Sequence, residues 1–204
     1  MKSRPFVFYK NDKEMSTINT LNSNEITQLF DAVINKKFPY RDRAMLTLSI
    51  YAGMRVSEIA TLKMGDVLDS DGKLKHALTP RKRKNSRNPR IVYLTQKVMN
   101  MLDEYLATIQ DKSAGKHVFH ADKSESFTVN GLTQWFFTRY KEVGIRASSG
   151  SGHKSFCQQL ASKGVSIKTI CELAGHRHTS TTKRYLSGLY SKSTLLRCAV
   201  ELVE

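Results

Sequence analysis

The sequence predicts a mainly helical domain with one small antiparallel sheet of three strands, an α+β fold. Apolar residues recur with the helical period along most of the chain, whereas only residues 67–94 combine short apolar runs with turn residues. With 204 residues, 40% of them hydrophobic and 25% charged, the chain is long enough to bury a substantial core. Residues 1–20 show no sustained periodicity, so we expect an N-terminal arm there and one domain over residues 21–204.

The charge balance indicates a polyanionic partner. Lysine and arginine number 33 against 18 acidic residues, a formal net charge of +15, which in a compact domain favours nucleic acid. A membrane partner is not expected, because the chain has no long apolar run and no basic amphipathic helix with aromatic anchors. The N-terminus lacks the apolar core of a signal peptide, and Cys157, Cys171 and Cys198 are typical of buried thiols in a reducing cytosol. We therefore expect a cytoplasmic protein.

Three helices are predicted between residues 21 and 62. Asn22 and Glu25 form the pattern of a capping box at the start of the first helix. A second helix spans residues 41–51 and is broken by Gly53, after which the third begins. The apolar residues expected to face the core are spaced three or four apart: Ile26, Leu29, Phe30 and Val33 in the first helix, Ala44, Met45, Leu48 and Tyr51 in the second, and Val56, Ile59, Ala60 and Leu62 in the third.

The sheet is predicted next along the chain. Residues 67–68 and 74–78 flank an Asp-Ser-Asp-Gly turn and form a hairpin, and residues 91–94 supply the third strand. Helical periodicity then returns, in four segments and a terminal helix: residues 98–109, 132–140, 153–163, 167–173 and 191–204. The terminal helix carries Leu195, Ala199 and Leu202 on one face.

The stretch of residues 164–187 carries the strongest functional signal. His176 follows a predicted helix, and Tyr185 comes nine residues later beside Lys183 and Arg184. A tyrosine among basic residues in a basic chain is well placed to meet a phosphate. An alternative is that His176 caps the helix and Tyr185 packs against the core, and this stretch alone does not decide between the two.

The whole stretch resembles the C-terminal motif of the tyrosine recombinases, the family of phage integrases and Xer-type proteins. In that family Gly-His ends one helix, and the nucleophilic tyrosine follows nine residues later in an STT-x-x-Y context. The segments RDRAMLTLSIYAGMR and YAGMRVSEIATL also resemble the start of the integrase catalytic domain. The resemblance implies the recombinase catalytic-domain fold and DNA strand exchange through a 3′-phosphotyrosyl intermediate. It further implies no cofactor, a tetramer on double-stranded DNA, and action at the nucleoid of a prokaryote.

The resemblance assigns roles to individual residues. Arg55 would grip two phosphate oxygens with Glu58 orienting it, His176 would donate a hydrogen bond to the phosphate, and Tyr185 would be the nucleophile. Lys84 would act as the general acid, although the register of its turn also permits Lys82. The basic residues expected to contact DNA phosphates are Arg81, Lys82, Arg83, Arg87, Arg90, Lys154, Lys183 and Arg184.

One part of the family pattern is absent. The family carries His-x-x-Arg at the start of the helix that leads into the motif, whereas this chain has Gly150 and His153 there. A histidine is mostly neutral at pH 7, and loss of one donor to the transition-state charge costs roughly 3–4 kcal/mol. His153 therefore joins the candidate catalytic residues in a weakened role. A second hypothesis follows: a catalytically impaired DNA-binding protein on the recombinase scaffold, which occupies sites or regulates a recombinase.

A metal site is the remaining alternative. His176, His178, Cys157 and Cys171 are residues of the types that bind metals, but the His-x-His spacing does not match structural zinc patterns. We therefore expect neither a metal nor another cofactor.

Overall fold

The computed structural model describes residues 19–80 and 90–187, and within these ranges it contains nine α-helices and one two-stranded sheet. The helices are α1 (Ser23–Ile34), α2 (Pro39–Ile50), α3 (Val56–Ala60), α4 (Met64–Val67), α5 (Gln96–Leu106), α6 (Val129–Glu142), α7 (Ser151–Ser162), α8 (Ile167–Leu173) and α9 (Thr179–Leu186). The strands are β1 (Ala77–Leu78) and β2 (Val92–Tyr93). The mainly helical fold with a small antiparallel sheet is therefore confirmed.

Helix α2 connects the main core to the C-terminal helices. It is buried along most of its length and packs against α1, α5 and α7. Helix α1 begins with the predicted capping box: Glu25 N–H donates to Asn22 Oδ1 at 2.9 Å, and Asn22 N–H donates to Glu25 Oε2 at 2.8 Å. Because α2 contacts both α1 and α7, it sets the position of α7 relative to α1.

The sheet has two strands in the described residues, where the sequence predicted three. Strands β1 and β2 pair antiparallel, with Leu78 opposite Val92. The predicted first strand is reduced to an isolated bridge between Leu68 and Leu74. The reason is that the Leu68 N–H donates to the Met64 carbonyl at 2.8 Å and so closes the helical turn of α4 instead of pairing along a strand.

The core is divided into two clusters. The larger lies among α1, α2, α5 and α6, and the smaller lies between α7, α8 and α9. Phe156 and Tyr185 pack against the smaller cluster. The buried residues that form the smaller cluster are Cys157, Ile170, Ala174 and Leu186. The predicted nucleophile is therefore anchored by a small core of its own.

Several predicted features lie outside the described residues. These are most of the arm, the terminal helix over residues 191–204, and Lys84 with the neighbouring basic residues Arg81, Lys82, Arg83 and Arg87. They remain predictions. None of the helices in the described ranges combines the length and apolar character that crossing a bilayer requires.

Candidate active site

Arg55 is the N-cap residue of α3, and the turn before it sets its position. Gly53 has φ +59°, and a Cβ at this position would overlap the ring of Phe156. Glu58 accepts from the Arg55 backbone N–H at 2.7 Å and from Arg55 Nη1 at 3.1 Å. Glu58 thus fixes both the start of α3 and the guanidinium group, in the orienting position that the sequence assigned to it.

The Arg55 guanidinium also contacts the end of α8. Its Nη2 donates to the carbonyls of Ala174 at 2.6 Å and Gly175 at 2.8 Å. Carbonyls at a helix C-terminus lack partners within the helix and carry partial negative charge, so they attract a cation. Gly175 itself has φ +62°, which turns the chain sharply after α8. These bonds join Arg55 to residues that lie 119 and 120 positions later in the chain, and they place His176 beside Arg55.

Arg90 lies in the interior, although the sequence placed it among the residues that contact phosphate. Its Nη2 donates to the Gly53 carbonyl and to Glu58 Oε2, and its Nη1 donates to the Leu173 carbonyl, each at 2.8 Å. Burial lowers the pKa of Arg90, and the adjacent Glu58 carboxylate opposes this shift. With its side chain only 8% exposed, Arg90 ties α3 to α8 rather than forming part of a surface patch. This placement corrects the role predicted for Arg90.

Two imidazole rings meet in front of Arg55. The Nε2 atoms of His153, on the first turn of α7, and His176 are 3.3 Å apart. Nδ1 of His153 is 2.6 Å from the Gly53 carbonyl and carries the proton, because a carbonyl oxygen only accepts. Nδ1 of His176 is 2.9 Å from the Thr182 hydroxyl on α9. Both rings are therefore held at Nδ1 and direct Nε2 toward each other.

The imidazoles are neutral at pH 7. Burial, followed by the charges of Arg55 and Arg90, lowers the pKa of His153 well below its ordinary value. Burial and the same two arginines lower the pKa of His176 to about 4. His153 consequently brings no positive charge to the position at which the family pattern has arginine. Gly150, where the pattern has histidine, is the N-cap residue of α7.

Tyr185 stands beside both imidazoles. Its ring centroid is 4.9 Å from that of His176 and 6.0 Å from that of His153, and the rings are nearly perpendicular. The Gln158 side chain donates to the Tyr185 carbonyl at 3.2 Å and so links α7 to α9. Burial raises the pKa of Tyr185, which keeps its phenol protonated at neutral pH.

The structure brings together four residues of the predicted catalytic set, namely Arg55, His153, His176 and Tyr185. Among the predicted DNA contacts, Lys183 and Arg184 are exposed on α9, and Lys154 is half-buried on α7.

Two further residues of the site were not among the predicted catalytic residues. The fully buried Thr182 bonds to His176, and no sequence pattern indicates this contact. The thiol of Cys157 forms a cluster with both imidazoles. Cys157 follows His153 by four residues on a predicted helix, and this spacing places the two side chains on one face. The sequence therefore contained a signal that could have identified Cys157 as a neighbour of His153.

The chain is similar in sequence to known proteins. The model of the phage integrase family matches residues 19–191. The tyrosine recombinase XerA of Pyrococcus horikoshii is 28% identical over 186 residues, which cover 89% of this chain and 60% of that protein. This chain thus spans about 60% of the length of that relative.

Solved structures show the same fold. A crystal structure of XerA recombinase matches with a TM-score of 0.71 at 21% identity, over 89% of this chain and 64% of that one. The Tn1549 transposon integrase, solved in complex with transposon right-end DNA, matches with a TM-score of 0.69 at 14% identity, over 100% of this chain and 73% of that one. The recombinase catalytic-domain fold expected from the sequence is confirmed.

Proposed function

This chain belongs to the phage integrase family, and we propose on that basis that it breaks and rejoins double-stranded DNA through a 3′-phosphotyrosyl intermediate on Tyr185. The observation that carries the proposal is the convergence of Arg55, His176 and Tyr185, which come from α3, the end of α8 and α9. A cation, a neutral hydrogen-bond donor and a nucleophile in one site are the parts that phosphoryl transfer to a tyrosine requires.

The chemistry is transfer of a phosphoryl group without net hydrolysis. The Tyr185 oxygen attacks the scissile phosphorus, and the bond from phosphorus to the 5′ oxygen breaks. Burial keeps the phenol protonated beforehand, so it gives its proton to a water molecule during the attack, and the leaving 5′ oxygen gains a proton from a general acid. We assign the general acid to Lys84, as the resemblance implies, with Lys82 as the alternative that the register of the turn permits. The same steps in reverse rejoin a strand, so the proposal needs no cofactor.

Arg55 and His176 would stabilise the negative charge that develops on the phosphoryl oxygens. Arg55 has five N–H groups, and its side-chain bonds to Glu58, Ala174 and Gly175 use at most three. Its side chain is 22% exposed, which leaves the remaining donors a path to a phosphate. His176 is neutral and would act as a hydrogen-bond donor and not as a cation.

The proposed partner is duplex DNA, on which four copies of the chain assemble in the nucleoid of a prokaryotic cytoplasm. The net charge of +15 supports a DNA partner, as does the exposure of Lys183 and Arg184 on the helix that carries Tyr185. The Tn1549 integrase was solved with transposon DNA, which supports the same partner for this chain.

The test begins by selecting a binding site from a random duplex library. A nicked duplex of that site then traps the intermediate, because loss of a short 5′ strand prevents rejoining. Trypsin cleavage after Arg184 yields the peptide of residues 185–192, which contains both Tyr185 and Tyr190, and fragmentation in a mass spectrometer shows which one carries the nucleotide.

Wild-type protein and Tyr190→Phe are expected to form the denaturant-resistant adduct. Tyr185→Phe is expected to lose the adduct while its DNA affinity stays within about twofold of wild type, because the hydroxyl is needed for the chemistry and not for phosphate contacts. An adduct on Tyr190, or an undiminished adduct in Tyr185→Phe, would overturn the proposal.

One observation favours a second candidate, a DNA-binding protein with impaired chemistry. His153 is 3% exposed and neutral, so the site lacks the charge of the arginine in the family pattern. If this loss limits cleavage, His153→Arg combined with Gly150→His should raise adduct formation by roughly a hundredfold. If wild type and the restored variant both stay inert on a proven binding site, the DNA-binding function is the better description.

A further inference from the structure

The separation of the two imidazoles fits a metal ion between them. In a tetrahedral Zn²⁺ site with Zn–N distances of about 2.0–2.1 Å, two nitrogen ligands lie about 3.3–3.4 Å apart. The Nε2 atoms of His153 and His176 are 3.3 Å apart. A third atom, Sγ of Cys157, lies close enough that all three are within 4.8 Å of one another. The cluster therefore has the atoms of a three-ligand site.

The hydrogen bonds at Nδ1 of the two rings also match those of metal-bound histidines. A metal-bound histidine usually bonds through its other nitrogen to an oxygen, which fixes the tautomer and the direction of the ring. Here Nδ1 of His153 contacts the Gly53 carbonyl, and Nδ1 of His176 contacts the Thr182 hydroxyl. Without an ion, His176 Nε2–H donates to His153 Nε2. Binding of an ion replaces this shared proton, after which His176 donates from Nδ1 to Thr182.

Cys157 can complete the ligand set with a small movement. It lies one helical turn after His153 on the same face of α7. A tetrahedral site requires a nitrogen–sulfur separation of about 3.6 Å, and the present separations are at most 4.8 Å, so the thiol has to approach the imidazoles by no more than about 1.2 Å. Burial raises the pKa of Cys157 to about 12, and an ion would displace the thiol proton that is otherwise retained.

We propose that His153, Cys157 and His176 form a binding site for a divalent transition-metal ion of the Zn²⁺ class. Two neutral imidazoles and a thiolate suit Zn²⁺ or Co²⁺ and not Mg²⁺ or Ca²⁺, which select oxygen ligands. Arg55 and Arg90 place positive charge near both imidazoles, and Arg184 adds charge near His176. Glu58, which is paired with Arg55 and Arg90, neutralises one of these charges. The excess charge weakens ion binding, so we expect a dissociation constant on the order of micromolar, weaker than a structural zinc site.

The ion inhibits the chemistry of the same site, a consequence that rests on the proposed function. Thr182 occupies Nδ1 of His176, so Nε2 is the nitrogen that faces the site. This nitrogen uses its lone pair to bind an ion but needs a proton to donate to a phosphate, and it cannot do both. Metal binding and phosphate binding at His176 are therefore mutually exclusive.

The site is tested first by metal binding alone. Tag-free protein with Cys198→Ala, which removes the third cysteine, is dialysed against Zn²⁺ and assayed by elemental analysis. Co²⁺ serves as a spectroscopic probe, because tetrahedral coordination intensifies its visible absorption and a thiolate ligand adds a charge-transfer band. One ion per chain is expected, with a charge-transfer band that disappears in Cys157→Ala. Folded protein that takes up no ion at about one hundred times the expected dissociation constant would overturn the proposal.

Matched variants separate this cluster from the other thiol and imidazole groups nearby. His153→Gln, His176→Gln and Cys157→Ala are each expected to weaken Zn²⁺ binding by at least about tenfold. The control is His178→Gln, at an exposed position outside the cluster, which should bind within about twofold of wild type. Circular dichroism confirms folding of each variant. Equal binding by wild type and folded His153→Gln would show that only a hydrogen bond links the imidazoles.

Inhibition is measured as the ratio of adduct formed with chelator to adduct formed with Zn²⁺. Each protein is compared with its own value in the presence of chelator. At free Zn²⁺ about nine times the wild-type dissociation constant, wild type should show a ratio of about ten, and Cys157→Ala, which binds at least tenfold more weakly, a ratio below about two. Equal inhibition of both proteins would contradict inhibition through this site. No adduct under either condition would refute the proposed function instead, while the dialysis result would still decide whether the metal site exists.

Discussion

Replacing Glu58 with glutamine removes the carboxylate that Arg55 and Arg90 share. Glu58 is 6% exposed, and its two oxygens lie 3.1 Å from Arg55 Nη1 and 2.8 Å from Arg90 Nη2. Breaking a buried ion pair by removing one partner costs about 3–5 kcal/mol, because the other charge stays buried without compensation. Glutamine keeps the volume and one acceptor oxygen. We therefore expect a loss of about 3 kcal/mol in the free energy of unfolding.

For a chain of this size the expected loss corresponds to a fall of roughly 6–12 °C in the melting temperature. Urea unfolding followed by circular dichroism measures it. The matched control is Glu104→Gln, which breaks the exposed pair of Glu104 with Arg43 at 3.3 Å and should cost less than about 1 kcal/mol.

A double-mutant cycle identifies the cause of the loss. If the cost comes from the uncompensated guanidinium, then Arg90→Met in the Glu58→Gln background should cost less than it does in wild type, with a coupling of about 1–3 kcal/mol. Additive effects of the two substitutions, or equal costs for Glu58→Gln and Glu104→Gln, would refute the shared-carboxylate account.

Further predictions concern two glycines with positive φ, the hydrogen bond from Thr182 to His176, and the basic residues expected to contact DNA. Gly175→Ala should cost about 3 kcal/mol in unfolding free energy, because strain at positive φ is joined by a clash with Arg90, whereas Gly144→Ala, with φ +72° and open space, should cost about 1 kcal/mol. Thr182→Val should lower adduct formation about tenfold by releasing His176. DNA affinity should fall with salt at a log–log slope of about −0.9 per phosphate, and this slope should flatten by about 2–3 when alanine replaces Arg81, Lys82 and Arg83.

The parts of the fold that short-range patterns determine could be read from the sequence. Asn22 and Glu25 are three residues apart, as are Arg55 and Glu58, and each pair makes the contact that its spacing predicts. The prediction of a strand at residues 67–68 was wrong, because this apolar pair suits either a strand or the end of a helical turn.

Long-range contacts could not be predicted in the same way. Arg90 continues the charge pattern of the basic run before it, yet its partners Glu58 and Leu173 lie 32 and 83 residues away. Nothing local distinguishes a guanidinium that binds a buried carboxylate from one that binds a phosphate. The meeting of His153 with His176 likewise depends on how α7 and α8 pack, and not on the spacing within either helix.

The contacts from Arg55 to the carbonyls of Ala174 and Gly175 have a consequence for the growing polypeptide. Arg55 leaves the ribosome long before the residues that position it are synthesised. A chain interrupted before residue 174 has Arg55 but neither the carbonyls that hold its guanidinium nor His176 and Tyr185. Premature termination and proteolysis within this range therefore yield fragments in which the proposed site is incomplete.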